Sequence, residues 1–147
     1  MLHIACTLAL ILLFNTSALA SCDDICKQQA IQGNAIAQFK LGVMYHNGQG
    51  VAPDYAAALK WYSKSAAQGH ASAQLNLGIM YHKGLGISQN YTQALKWYQQ
   101  AALKGDASAQ YYLATLYQDG KGVATNYQQA IKWYRKSALS GYAQAQY

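Results

Sequence analysis

Residues 71–106 read ASAQLNLGIMYHKGLGISQNYTQALKWYQQAALKGD. The same phrase begins at Ala35 and again at Ala107, each time 36 residues on and without insertion, and a fourth copy opens at Ala143. Self-similarity at such a period marks a stacked repeat architecture and outranks any local motif. The copies can be compared with one another. Ala37, Ala73 and Ala109 are each followed by Gln; Leu41, Leu77 and Leu113 recur, then Tyr45, Tyr81 and Tyr117. Glycines return at 48, 84 and 120, at 50, 86 and 122, and at 69, 105 and 141. Lys-Trp-Tyr closes the pattern at 60–62, 96–98 and 132–134. Letters that repeat are those the scaffold needs; letters that drift are free for other work.

Each copy divides into helix, turn and helix. The first helix is expected over about 35–47, 71–83 and 107–119, ended by a glycine able to take the left-handed conformation. Asp54, Asn90 and Asn126 stand just before the second apolar pattern and suit the N-cap position. The second helix follows over about 55–68, 91–104 and 127–140. Loops this short force neighbouring helices to lie antiparallel and adjacent. Helical spacing puts Ala37, Gln38, Leu41, Gly42 and Tyr45 on one packed stripe, and Tyr55, Ala58, Leu59, Tyr62 and Ala66 on another. Gly42 and Gly78 cost about 1 kcal/mol each in a helix interior, which makes sense where a neighbouring helix crosses closely. Trp61, Trp97 and Trp133 flank the second stripe and read as core. The fold expected is all-α, a superhelical solenoid of antiparallel helix pairs with a 36-residue repeat.

The pattern Ala-x-Ala-Gln-x-x-Leu-Gly-x-x-Tyr-x-x-Gly-x-Gly-Val, then Asp-Tyr-x-x-Ala-x-x-Trp-Tyr, then Ala-Ala-x-Gly, resembles the Sel-one-like repeat family, a branch of the tetratricopeptide-like α/α solenoids. The resemblance covers residues 22–147. It implies a right-handed superhelix with the first helix of each repeat lining the concave side, and a role as an adaptor that holds peptides or proteins in assemblies. Exported bacterial members are similar to factors acting in envelope complexes or on host cells.

The drifting positions supply the site hypothesis. Ile36, Phe39, Val43 and His46 are spaced at 3, 4 and 3 residues, opposite the packed stripe. Their copies include Leu75, Ile79 and His82, and Tyr111, Thr115 and Gln118. In related solenoids this stripe faces the groove and touches the partner, so an unidentified protein or peptide with apolar anchors is the expected ligand. The plainer alternative is that Phe39, Leu75 and Tyr111 fill gaps between successive first helices.

The segment 1–21 reads as a signal peptide. Ile4 to Phe14 is an apolar run too short to span a bilayer, followed by polar residues and the small-x-small pattern Ala18-Leu19-Ala20. Two cuts fit: after Ala20, releasing a soluble chain, or at the lipobox-like Leu19-Ala20-Ser21-Cys22, leaving an acylated Cys22 and membrane association through the N-terminus. Either way the mature chain is exported, to the periplasm, the cell envelope or the medium. Cys22 and Cys26 could instead form a disulfide in an oxidising compartment, although a spacing of four on one helix suits a bridge poorly.

Residues 22–34 form a leading half-repeat that caps the array; repeats occupy 35–70, 71–106 and 107–142, and 143–147 begin a fourth. A chain that stops inside a first helix leaves a packing stripe uncovered, so a fragment, or an open end that meets a partner, is expected.

Catalysis, metals and nucleic acid are all disfavoured. The chain has five acidic residues, all Asp, so a carboxylate pair is hard to assemble. It lacks the Ser-x-x-Lys, Ser-Asp-Asn and Lys-Thr-Gly motifs that would support the enzymatic alternative, β-lactam binding or hydrolysis as linked to cysteine-rich relatives. Gly48-x-Gly50 is too short for a phosphate loop. His46 and His82 belong to helices about 8–10 Å apart, long for two ligands on one metal, so no cofactor is expected; they are pH-sensitive groove contacts or ordinary helix-end side chains. The formal charge of +6 concentrates on the outward face of the second helices, where solvation or attraction to anionic lipid or cell-wall polymer accounts for it. Such an envelope- or cell-wall-associated factor is the remaining alternative.

Overall fold

The computed structural model describes residues 24–142. Seven helices follow in order: α1 (Asp24–Ile31), α2 (Ala35–Asn47), α3 (Tyr55–Ala67), α4 (Ala71–Lys83), α5 (Tyr91–Leu103), α6 (Ala107–Asp119) and α7 (Tyr127–Leu139). Among the described residues there is no strand. Each helix packs on the next along the chain, so α2–α3, α4–α5 and α6–α7 are stacked hairpins and α1 precedes them. The molecule is an all-α helical solenoid. The segment 1–21, Cys22 and residues 143–147 lie outside the described residues.

The caps explain where the helices begin and end. Gly48, Gly84 and Gly120 sit at φ 69°, 71° and 67° and return their N–H groups to the carbonyls of Met44, Met80 and Leu116, which closes α2, α4 and α6. The loop is fastened by the N–H groups of Asp54, Asn90 and Asn126, which donate to Tyr45, Tyr81 and Tyr117 at 2.8 Å. The side chains of the same three residues accept from Ala57, Gln93 and Gln129, as N-caps should. The helices α3, α5 and α7 end one residue earlier than expected. The first helices are capped as well, by Asn34, His70 and Asp106, whose side chains accept from Ala37, Ala73 and Ala109. Three different letters share one acceptor role there.

The core lies between hairpins. One cluster joins Ala58, Tyr62 and Ala66 of α3 to Ala73, Leu77 and Met80 of α4. Its counterpart joins Ala94, Tyr98, Ala101 and Ala102 to Ala109, Leu113, Ala114 and Leu116, and a smaller one ties Cys26 and Ala30 of α1 to Ala37, Leu41 and Met44 of α2. The expected stripe is buried at Ala37, Gln38, Leu41 and Gly42, but Tyr45 is half-buried. Met44, Met80 and Leu116 complete it. On the second helices Ala58, Tyr62 and Ala66 are buried, Leu59 is half-buried and Tyr55 is exposed. Trp133 is buried, whereas Trp61 and Trp97 are half-buried against the clusters of their neighbours.

The mid-helix glycines do mark a close crossing. A Cβ on Gly42 would lie 2.5 Å from Cδ1 of Tyr62, and one on Gly78 2.6 Å from Cδ1 of Tyr98. In the third repeat the small residue is Ala114, and the corresponding Tyr134 is half-buried, its hydroxyl donating to Oε1 of Gln118 at 2.8 Å. The glutamines of the Ala-Gln pairs act as struts from the first helix of each repeat to the helix before it. Nε2 of Gln38, Gln74 and Gln110 donates to the carbonyls of Ala30, Ala66 and Ala102 at 3.1, 3.2 and 3.2 Å.

Candidate partner-binding groove

The drifting stripe belongs to α2, α4 and α6, the helices whose buried residues form the seam. Its members are half-buried, with two exceptions: Ile36, 57% exposed, and Gln118, also exposed. Phe39 stacks on His70 with ring centroids 4.7 Å apart and lies 5.9 Å from Tyr62. Val43 packs beside it on the α3–α4 cluster. Leu75 and Ile79 pack in the same way on the α5–α6 cluster. The stripe therefore borders the core rather than standing opposite to it, and Phe39 does bridge from α2 to the residue that caps α4. Helical periodicity places a residue on a face, but the depth of that face depends on how far the next helix covers it.

At the turn end of the stripe the histidines are enclosed by tyrosines. His46 meets Tyr55 edge-on at 5.3 Å and Tyr62 at 6.1 Å. His82 repeats this with Tyr91 at 5.2 Å and Tyr98 at 6.1 Å, and adds Tyr112 at 6.5 Å. Nδ1 of both histidines is buried without a hydrogen-bond partner. A proton there would be a buried donor with no acceptor among the described residues, which disfavours the charged ring. Burial lowers the pKa of His46 and of His82, and the cations nearby push in the same direction, Lys83 at His46 and Lys121 with Lys83 at His82, where Asp119 opposes them. Burial likewise pushes the Tyr62 hydroxyl up to about 12.

The third repeat is the most aromatic part of the face. Tyr111 touches Tyr112, Tyr134 and Tyr142 at 5.8, 5.5 and 5.1 Å, and Tyr112 stacks on Tyr98 at 5.2 Å. Thr115 donates its hydroxyl to the carbonyl of Tyr112 at 2.7 Å. Tyr112, Tyr142 and His70 were not anticipated as members. Each lies at a position that changes between copies, Lys40–Asn76–Tyr112 in one case and His70–Asp106–Tyr142 in the other. Drift was therefore the available signal. These rings offer stacking surfaces and hydroxyl groups.

Among the described residues no group of three His, Cys, Asp or Glu could hold a metal ion, and no helix is long and apolar enough to cross a membrane. Asp106 and Asp54 are occupied as caps, and Asp119 pairs with Lys121 at 3.0 Å. Cys26 is buried, with its Sγ 4.0 Å from the carbonyl of Ala37. The acylation and disulfide expectations both turn on Cys22, which is outside the described residues.

Comparison with known proteins agrees with this architecture. The Sel1 repeat matches residues 35–70, 71–106 and 107–142. A Sel1 repeat protein from Oxalobacter formigenes is 43% identical, with a TM-score of 0.75, over 78% of this chain and 47% of its own. A protective antigen of uropathogenic Escherichia coli with an SLR fold is 40% identical, with a TM-score of 0.80, over 82% of this chain and 26% of its own. The chain thus spans about half of one relative and a quarter of the other. Cysteine-rich protein B of Helicobacter pylori shares the fold at 21% identity and a TM-score of 0.65, over 85% of this chain and 97% of its own. No curated protein matches. With three consecutive repeats in register, the chain belongs to the Sel1 repeat family.

Proposed function

We propose that this chain is a non-catalytic adaptor of the bacterial envelope that grips a peptide or protein segment along the α2–α4–α6 face. Proteins of the Sel1 repeat family generally mediate protein–protein interaction. The observation that carries the finer reading is the row Phe39, Leu75 and Tyr111. These are apolar or aromatic, half-buried, and different in every repeat, while Ala37, Gln38 and Leu41 of the buried seam recur unchanged at 73, 74 and 77 and at 109, 110 and 113. Rigid half-buried rings give contact area at little entropic cost, and an extended or helical segment with apolar anchors at the repeat spacing suits such a surface. Export would bring the adaptor to the envelope, and intact mass of the mature protein distinguishes a free Ser21 from an acylated Cys22.

Affinity capture from the native envelope tests the groove. Wild type is compared with Phe39→Asp plus Ile79→Asp, and with Ile36→Asp plus Gln118→Arg at the two exposed positions, where folding is not at stake. A partner held by wild type and lost from both variants is the expected result. If all three baits retain the same proteins, the groove is not the site. Turnover of a chromogenic cephalosporin, abolished by one side-chain change, would replace the adaptor reading with an enzymatic one.

A further inference from the structure

The helices α3, α5 and α7 carry Lys60, Lys64, Lys96, Lys132, Arg135 and Lys136 and contain no acidic residue. Lys64 and Lys136 lie over the rings of Trp61 and Trp133 at 4.7 and 4.6 Å. Lys60, Lys96, Lys132 and Arg135 are exposed, and among the described residues the ion pairs are Lys27–Asp24 and Lys121–Asp119, neither on these helices. The acids nearest in sequence, Asp54 and Asp106, are engaged as caps at helix ends. A column of cations at the repeat spacing, without neutralising partners, gives this face a sustained positive potential.

A second feature shares the face. Ala67, Leu103 and Leu139 stand seven residues, or two turns, beyond Lys60, Lys96 and Lys132, on the same side of each helix. Leu103 is 70% exposed and Leu139 89% exposed. Leu103 keeps its exposure although a whole repeat follows it, so the exposure belongs to the position and not to the end of the array. A single exposed leucine needs no explanation. Leucines in line with a lysine column match the composition of interfacial membrane-binding surfaces, where cations meet anionic headgroups and apolar tips enter the acyl boundary. A soluble polyanion would engage the lysines and leave the leucines in water.

We propose that the outer face of α3, α5 and α7 docks on an anionic lipid bilayer, with Lys60, Lys96, Lys132 and Arg135 over the headgroups and Leu103 and Leu139 entering the interface. The face is built from different helices than the groove, so membrane and protein partner can be held together.

Co-sedimentation of the full-length chain with vesicles tests this. One set is phosphatidylcholine alone and the other phosphatidylcholine mixed with phosphatidylglycerol, so that anything the N-terminus contributes to neutral lipid appears as a baseline. Binding to the anionic set above that baseline, falling with added salt, is expected. Each lysine near an anionic surface is worth about fivefold in partitioning, so Lys60→Ser, Lys96→Ser and Lys132→Ser together should lose about a hundredfold. Leu103→Ser plus Leu139→Ser should also weaken binding while the thermal melt stays unchanged. Equal binding to both vesicle sets, or retention by the lysine variant, overturns the proposal. So does wild-type binding by the leucine variant, which would reduce the face to a general polyanion surface. The salt dependence is read on wild type alone and needs no variant to fold.

Discussion

Gly42 shows how one position can reverse a general rule. Replacing a mid-helix glycine by alanine normally gains about 1 kcal/mol. Here the added Cβ would meet Cδ1 and Cε1 of Tyr62 at 2.5 and 2.7 Å, and that ring is fully buried. Overpacking of this kind costs about 1–3 kcal/mol, so Gly42→Ala should lower the melting temperature, and Gly78→Ala likewise against Tyr98. A rise in either melt would mean that the rings have room to move. His70 is a second such position. Its Nδ1 accepts from the N–H of Ala73 at 3.3 Å, a role open only to the neutral ring. Burial, and then Lys104, lower its pKa from 6.5. For a base whose folded pKa is depressed, the unfolded chain takes up the proton first. Stability is therefore full above about pH 6.5 and is lost as pH falls through the lowered folded value. His46 and His82 act in the same direction. Thermal melts between pH 7 and 5 should decline, and His70→Asn, copying the cap that Asn34 already supplies, should flatten part of that decline.

At the scale of elements, the two helices of a hairpin are clasped to each other by side chains that carry polar groups into their contact. Ser65 donates to the carbonyl of Ala35 and Ser137 to that of Ala107, both at 2.7 Å. The second repeat has Ala101 at that place, so alanine fits the space. Ser65→Ala and Ser137→Ala should each cost about 0.5–1.5 kcal/mol, read from urea denaturation. No loss would mean that water satisfies the freed carbonyl. The residue after each second helix adds a further link. Gln68 donates to the carbonyl of Gly33 at 2.9 Å and to Gln38 at 2.8 Å, and Lys104 donates to the carbonyl of Gly69. Such pairings also mark the limit of what the letters convey. The bounds of α2, α4 and α6 were legible because glycine takes the required left-handed φ at least cost, and Gly48, Gly84 and Gly120 hold that place in all three copies. The caps Asn34, His70 and Asp106 were not, because several residue types can accept one hydrogen bond. Met44 and Leu116 were overlooked for a related reason: a core needs volume, and two letters supply it. The groove stripe was legible as a set of positions, but its half-burial was not, since Val43 and Ile79 owe their depth to clusters built by other helices, of their own hairpin and of the next.

Across the whole molecule, stability is expected to be a sum of hairpins and the seams between them, because each repeat touches only its neighbours. Three repeats are about the least that such an array can use, so the position of a defect should matter as much as its size. Leu77 is buried in the seam between α3 and α4, and Leu41 in the seam between α1 and α2. Truncating a buried leucine to alanine costs about 2–5 kcal/mol in either place. Leu41→Ala weakens the attachment of the eight-residue α1 and leaves the hairpins joined. Leu77→Ala cuts the array between its first and second hairpins, so the two parts can unfold separately. The denaturant slope follows the surface exposed in one cooperative step, so it should fall more for Leu77→Ala than for Leu41→Ala, with the transition broadened. If both variants keep the wild-type slope and shift the midpoint alike, the chain unfolds as one unit and the seams are not its separable parts.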